Sequence, residues 1–178
     1  HAHATHVSIE VSPTGDGATP VNIAVRDDGH GIPANILPRI FEDRPVDQQV
    51  RMWVAGCSTG EEVFSIAICL LEYLTGHAIE PSIQIFGTDA SESNIHKARL
   101  GVFPESISTD VSPERFRRFF VKTDKGYQIR KSVRDLCIFA RQNVAADPPF
   151  SGLDMLSCRN LLIYLDPKLQ ERVFPSFH

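Results

Sequence analysis

Trp53-Val-Ala-Gly-Cys-Ser-Thr-Gly-Glu-Glu-Val-Phe-Ser-Ile-Ala67 runs from an apolar stretch, through small residues and two carboxylates, into a helical pattern. Val50 to Ala55 reads as a compact strand. Val63, Ile66, Ala67, Leu70, Leu71 and Leu74 then recur at helical spacing with one broad apolar face. In open α/β sheets, ligands sit beyond the carboxyl ends of the strands, so the Gly56 to Gly60 junction is a candidate binding loop. Its glycines would let a ligand approach the backbone, and the helix start would offer free N–H groups.

The charges at the junction narrow the ligand. Glu61 and Glu62 fall in the first helical turn, where a pyrophosphate would be repelled and a cationic or hydroxyl-bearing ligand favoured. The two acids could also simply complement the helix dipole, and these residues alone do not decide. A second apolar strand, Ile83 to Gly87, ends in Thr88-Asp89, and Asp89 lies 28 residues beyond Glu61. An acid at that tip is the usual acceptor for ribose hydroxyls. A nicotinamide dinucleotide would use the same acid, but the loop is GxxxG followed by carboxylates, not GxGxxG. S-adenosylmethionine, with a sulfonium, an amine and a ribose, fits better.

Working outward, Ser91 to Leu100 predicts a helix stopped by Gly101, and Ser112-Pro113 caps one containing Phe116, Phe119 and Phe120. Tyr127 to Arg130, Leu136 to Gln142 and Leu153 to Cys158 read as strands, and Asp166-Pro167 starts a last helix. Strand and helix alternate, which predicts an α/β fold with a parallel sheet. Upstream the rhythm differs. Val7, Ile9 and Val11, then Val21, Ile23 and Val25, alternate with polar residues around the turn-rich Ser12 to Gly17, predicting an antiparallel hairpin. A short helix around Ala34 to Phe41 follows, then a polar stretch, Glu42 to Gln49. The expected division is an upstream piece over 1–43, a linker over 44–49 and an α/β domain over 50–178, with a small β-subdomain at about 103–135.

The 178 residues carry a net charge of −4, which argues against a general nucleic-acid binder. Arg115, Arg117, Arg118, Lys131 and Arg134 form a local basic cluster suited to an acidic partner or to a solvated helix face. Cys57, Cys69, Cys137 and Cys158 are widely spaced and form no CxxC; with no signal peptide and no long apolar span, the expected setting is a reducing cytoplasm without membrane insertion. His1, His3 and His6 have no partner ligands nearby, so no metal site is expected, and a first residue other than Met fits a fragment or processed chain.

Four ordered motifs carry a family resemblance: Trp53 to Glu62, Gly87-Thr-Asp89, Ala140-Arg-Gln-Asn143 and Ser157-Cys-Arg-Asn-Leu-Leu-Ile-Tyr164. From about Val50 onward the chain resembles CheR-type methyltransferases, which transfer methyl groups from S-adenosylmethionine to glutamate side chains of bacterial chemoreceptors. The resemblance implies a Rossmann-like class I methyltransferase core with a β-subdomain insert, incomplete at its C-terminus. It implies that Gly56, Glu61, Asp89, Asn143, Val144, Arg159 and Asn160 line the cofactor pocket, and that Arg159 and Tyr164 lie close to the chemistry. Methyl-accepting chemoreceptor helices would be the partner. The family's preceding helical domain has no counterpart here, and strand Leu153 to Cys158 is expected to be left as an uncovered apolar edge.

Two other segments resemble known motifs. Asp147-Pro-Pro-Phe150 is similar to the DPPY-type motif of amino-methyltransferases, but it precedes an apolar strand where that motif should follow one. Pro148-Pro149 is better read as a stiff lead into the strand. Val25 to Pro33 with Leu37 to Phe41 resembles part of a histidine-kinase ATP-binding domain, in which Asp27 would recognise adenine and Gly29 and Gly31 would admit the nucleotide. The match covers about forty residues and lacks the rest of that site. Beside the methyltransferase reading therefore stand a non-catalytic signalling fragment and a kinase-derived ATP-binding piece.

Overall fold

The structure is a computed structural model, and it describes residues 9–13, 21–25, 36–41, 48–77, 81–159, 161 and 165–173. Strands β1 (Ile9–Pro13) and β2 (Val21–Val25) precede a short helix α1 (Ile36–Phe41). Then come β3 (Val50–Ala55), α2 (Glu61–His77), β4 (Ile83–Asp89) and α3 (Glu92–Leu100). These last four follow the apolar periodicity and its punctuation. Ser91 caps α3 by accepting the Asn94 N–H, and Gly101 closes it in the left-handed conformation at φ +57°.

Between α3 and the next strand of the large sheet, the chain builds a separate unit. It comprises β5 (Val102–Phe103), α4 (Ile107–Asp110), α5 (Pro113–Phe119), β6 (Phe120–Thr123), β7 (Gly126–Ile129) and α6 (Lys131–Arg134). Its sheet runs β5-β7-β6, antiparallel throughout. Ser112 caps α5 through the Arg115 N–H, with Pro113 at the first turn. The neck is closed by the Ile129 N–H on the Gly101 carbonyl at 2.9 Å. Arg115 pins the unit to α2 through a two-pronged contact with Glu72, the shorter bond being 2.7 Å.

The chain returns as β8 (Cys137–Arg141), then β9 (Met155–Ser157) and α7 (Pro167–Val173). The large sheet has the order β1-β2-β9-β3-β4-β8. β8, β4, β3 and β9 are mutually parallel neighbours, so their carboxyl ends share one edge. From β3 the chain moves outward to β4 and β8 on one side and later returns to place β9 on the other. That reversal at β3 is the switch point of a Rossmann-like core.

The expectation of a bare edge at Leu153 to Cys158 is corrected here. β2 pairs parallel to β9, with Ala24 opposite Leu156 and Val25 opposite Ser157, and β1 closes antiparallel on β2. The physical reason is complementary need. A short inner strand with one open side leaves N–H and C=O groups unpaired, and a two-stranded hairpin is marginal alone. Pairing them satisfies both.

The main core lies between the sheet and its helices, where Val50, Met52, Val54, Ile85 and Met155 meet Val63, Ile66, Ala67, Leu70 and Ile95. A smaller cluster on the reverse face gathers Trp53, Ala55, Leu153 and Leu156, with Phe86, Val144 and Phe150 at its margin.

Candidate functional site

The site is built where β3, β4, β8 and β9 end together. The loop after β3 turns on left-handed residues: Gly56 at φ +71°, Ser58 at +49° and Gly60 at +93°. Room beside the two glycines is taken by the protein itself. A Cβ on Gly56 would lie 3.1 Å from the Leu161 side chain, and one on Gly60 would lie 3.1 Å from Ala98. Backbone conformation and packing thus each call for glycine at both positions.

Three of the loop's donors are already used. Cys57 N–H bonds the Thr88 carbonyl at 2.8 Å and Gly60 N–H the Cys57 carbonyl at 2.9 Å. Ser58 N–H, among the described residues the one non-glycine at positive φ, bonds Asp89 Oδ2 at 3.0 Å. A phosphate cradle needs such N–H groups free and pointing at the anion. Here they serve the protein, and the rim is acidic, so the donor set suits a cationic, hydroxyl-bearing ligand and not a phosphate.

Asp89 is the hub of that rim. Besides Ser58, its carboxylate takes the Ser91 N–H at 2.8 Å and the Asn94 Nδ2 at 3.3 Å on Oδ1. Three of roughly four acceptor positions of a carboxylate are thus filled, leaving about one for a ligand hydroxyl. Asp89 both fastens the β3 loop to the start of α3 and faces the crevice with what remains.

The two neighbouring glutamates part ways. Glu61 is exposed, and its carboxylate accepts the Thr59 hydroxyl beside it. Glu62 is half-buried, and its carboxylate accepts the hydroxyl of Ser157, itself only 3 % exposed at the end of β9. Glu62 is thus the carboxylate tied to the end of β9, while Glu61, expected from the sequence to line the pocket, stands exposed in the same helical turn.

Of the other expected residues, Asn143 is exposed just past β8, joined to the hub by the Gln142 N–H on the Asp89 carbonyl at 3.1 Å. Val144 is half-buried against the Trp53–Leu156 cluster, and Arg159 is half-buried two residues beyond β9. Gly56, Asp89 and Asn143 are therefore brought to one edge. Asn160 and Tyr164 lie outside the described residues, as do Asp27, Gly29 and Gly31 of the kinase-like segment.

Cys57, in the middle of the loop, is 3 % exposed. Burial first, and the Asp89 carboxylate second, push its thiol up to about 12, so it stays protonated and is no nucleophile at neutral pH. Among the described residues no cluster of His, Cys, Asp and Glu could hold a metal ion.

Comparison with known proteins places the chain in a family. The family model for the CheR methyltransferase, SAM binding domain, matches residues 31–178. A 104.1 kDa uncharacterized protein of Rhodobacter capsulatus is 38 % identical over 143 residues, 80 % of this chain and 15 % of that one. The chemotaxis protein methyltransferase of Borreliella burgdorferi is 30 % identical over 149 residues, 80 % of this chain and 52 % of that one. The chain thus spans about half the length of that methyltransferase. Among solved structures, the glycopeptide N-methyltransferase MtfA complexed with S-adenosylmethionine has a TM-score of 0.43 at 11 % identity, covering 88 % of this chain and 49 % of that one, a likeness too loose to argue from.

Proposed function

Starting from the fact that this chain belongs to the CheR methyltransferase family and carries its S-adenosylmethionine-binding domain, we propose that the crevice at the strand tips serves methyl transfer to glutamate side chains of chemoreceptors. When bound, S-adenosylmethionine supplies an activated methyl that a glutamate carboxylate takes directly, the C–O bond forming as the C–S bond breaks. A carboxylate is already an anionic nucleophile at neutral pH, so the protein's task is alignment and exclusion of water.

The residues divide that task by position. Asp89 accepts a ribose hydroxyl with its remaining lone pair. In this reading Glu62, tied to Ser157 at the end of β9, faces the positively charged end of the cofactor. In the same reading the adenine lies toward Asn143 and Val144 beyond β8, the far side of the strand order β9-β3-β4-β8. Arg159, with Asn160 and Tyr164 by family resemblance, stands on the methyl side. Chemoreceptor helices are the substrate in this reading, and the reaction belongs in the cytoplasm. Among the described residues no helix is long and apolar enough to cross a membrane.

The observation that carries the proposal is the acidic hub, in which the Asp89 carboxylate takes the Ser58 N–H at 3.0 Å and so ties the β3 loop to the tip of β4. Calorimetry with S-adenosylhomocysteine tests it. Binding is expected, weakened about ten-fold or more in Asp89→Asn as a charge-assisted bond is lost. Glu62→Gln should weaken S-adenosylmethionine while Glu61→Gln leaves it unchanged. No heat with the unaltered chain, or equal affinity in Asp89→Asn, overturns the assignment.

A further inference from the structure

The turn after β8 is braced from several directions. Asn143 N–H donates to Asp147 Oδ2 at 2.7 Å, and Asp147 N–H donates back to the Asn143 carbonyl at 2.8 Å. The five residues are thereby closed from both ends. Within the ring, Asn143 Oδ1 accepts the Ala145 N–H at 3.1 Å. Outside it, Gln142 Nε2 donates to the Pro148 carbonyl at 2.8 Å. Pro148 and Pro149 then fix φ, and Phe150 anchors the far end by stacking on Phe86 with centroids 4.7 Å apart.

This bracing has a chemical consequence for Asn143. A carboxamide offers one acceptor and two donor hydrogens. With Oδ1 turned to Ala145, what the side chain presents outward is Nδ2, a donor. Purine ring nitrogens are acceptors and match it, while an exocyclic amine does not. A charged acceptor holding the backbone N–H is also the strongest bond in the ring. Asp147 sits in the Asp-Pro-Pro-Phe motif that the amino-methyltransferase comparison leaves without a role.

We propose that Asp147 is a positioning residue of the cofactor pocket: its carboxylate holds Asn143 in the turn that offers the carboxamide Nδ2 to the adenine ring. The inference rests on the reading that Asn143 flanks the adenine, and it adds the group that fixes Asn143 and the polarity of the contact. Asp147 itself is exposed and makes no bond to the core, so its removal should not unfold the sheet.

The test is a thermodynamic cycle on the full chain, read by calorimetry with S-adenosylhomocysteine and with 5′-methylthioadenosine. Asp147→Ala is expected to weaken both by about ten-fold, with the thermal midpoint of the free protein held within about two degrees. Asp147→Asn, which keeps an acceptor oxygen, should stay within about three-fold of the unaltered chain. In an Asn143→Ala background, Asp147→Ala should add less than about two-fold, because its effect passes through that side chain. Amide exchange gives a readout free of ligand, with the Asn143 N–H protected in the unaltered chain and released in Asp147→Ala. Unchanged affinity in Asp147→Ala, or losses that simply add with Asn143→Ala, overturn the positioning role and leave the pocket standing. Absence of binding by the unaltered chain removes the pocket, and this role with it.

Discussion

The two faces of the large sheet solve burial differently. On one, Val50, Met52 and Val54 of β3 and Ile83 and Ile85 of β4 lie under α2 and α3 in a continuous apolar core. On the other, the same strands present Arg51, Trp53, Gln84, Phe86 and Thr88, and β8 leaves Ile138 at 42 % exposure. A parallel sheet normally reads as unbroken apolar runs because helices cover both sides. Here the second side is covered by the returning loop, whose Phe150 stacks on Phe86 and meets Trp53 edge-on at 5.3 Å. Polar atoms on that side carry their own partners: Trp53 Nε1 donates to Thr88 Oγ1 at 2.8 Å, and the Arg51 guanidinium lies 5.2 Å from the Phe86 ring centre. The helix-covered face is a continuous apolar core, while the loop-covered face mixes aromatic packing with paired polar atoms.

That contrast can be broken in graded steps. Ile85→Ala, at a fully buried position on the helix side, should lower unfolding free energy by about 2–5 kcal/mol in a denaturant titration. Phe150→Ala on the loop side should cost roughly 2 kcal/mol, since the ring is only half-buried. Equal losses would erase the distinction between the faces. Trp53→Phe leaves the buried Thr88 hydroxyl without its donor and should cost about 1–3 kcal/mol, much of it recovered when Thr88→Val is added.

The thiols sharpen the contrast by pH. Cys57 and Cys137, both packed on the helix-covered side, are each raised from 9.0 to about 12, by burial above all. The unfolded chain loses these protons first as pH rises, so stability is full below pH 9 and declines from there toward 12. For Cys57 the loss at pH 10 should be roughly 1 kcal/mol, and Cys57→Ala should flatten that part of the stability–pH curve. The smallest effect belongs to Arg51→Ala, expected at about 1 kcal/mol for a half-buried cation that lies over the Phe86 ring and donates to the Ser151 carbonyl.

What was legible in the sequence follows the range of the forces involved. The spacing of Val63, Ile66 and Leu70, the Ser91 cap and the Gly101 stop are local, and β3, α2, β4 and α3 came through with bounds close to those expected. Asp89 was legible because its place at a strand tip is set by the strand itself. The partner of β9 was not, since pairing Val25 with Ser157 joins residues far apart and no periodicity encodes a neighbour. Nor was the bond between Glu62 and Ser157. Both glutamates occupy one helical turn, and Ser157 is brought to one of them from far along the chain. The two-residue β5 and the strand β6, running straight out of α5, are too short to leave a pattern.

The neck of the small β unit has a consequence beyond its own stability. The chain departs at Gly101 and is back at Ile129 within a single 2.9 Å backbone bond, while Phe103, Phe119 and Phe120 root the unit in the main core and its tip stays outside. Length and sequence at the exposed β6–β7 tip, Asp124 and Lys125, can be exchanged while β4 and β8 stay in register. A lineage could thus retarget what the unit touches without disturbing the strand ends.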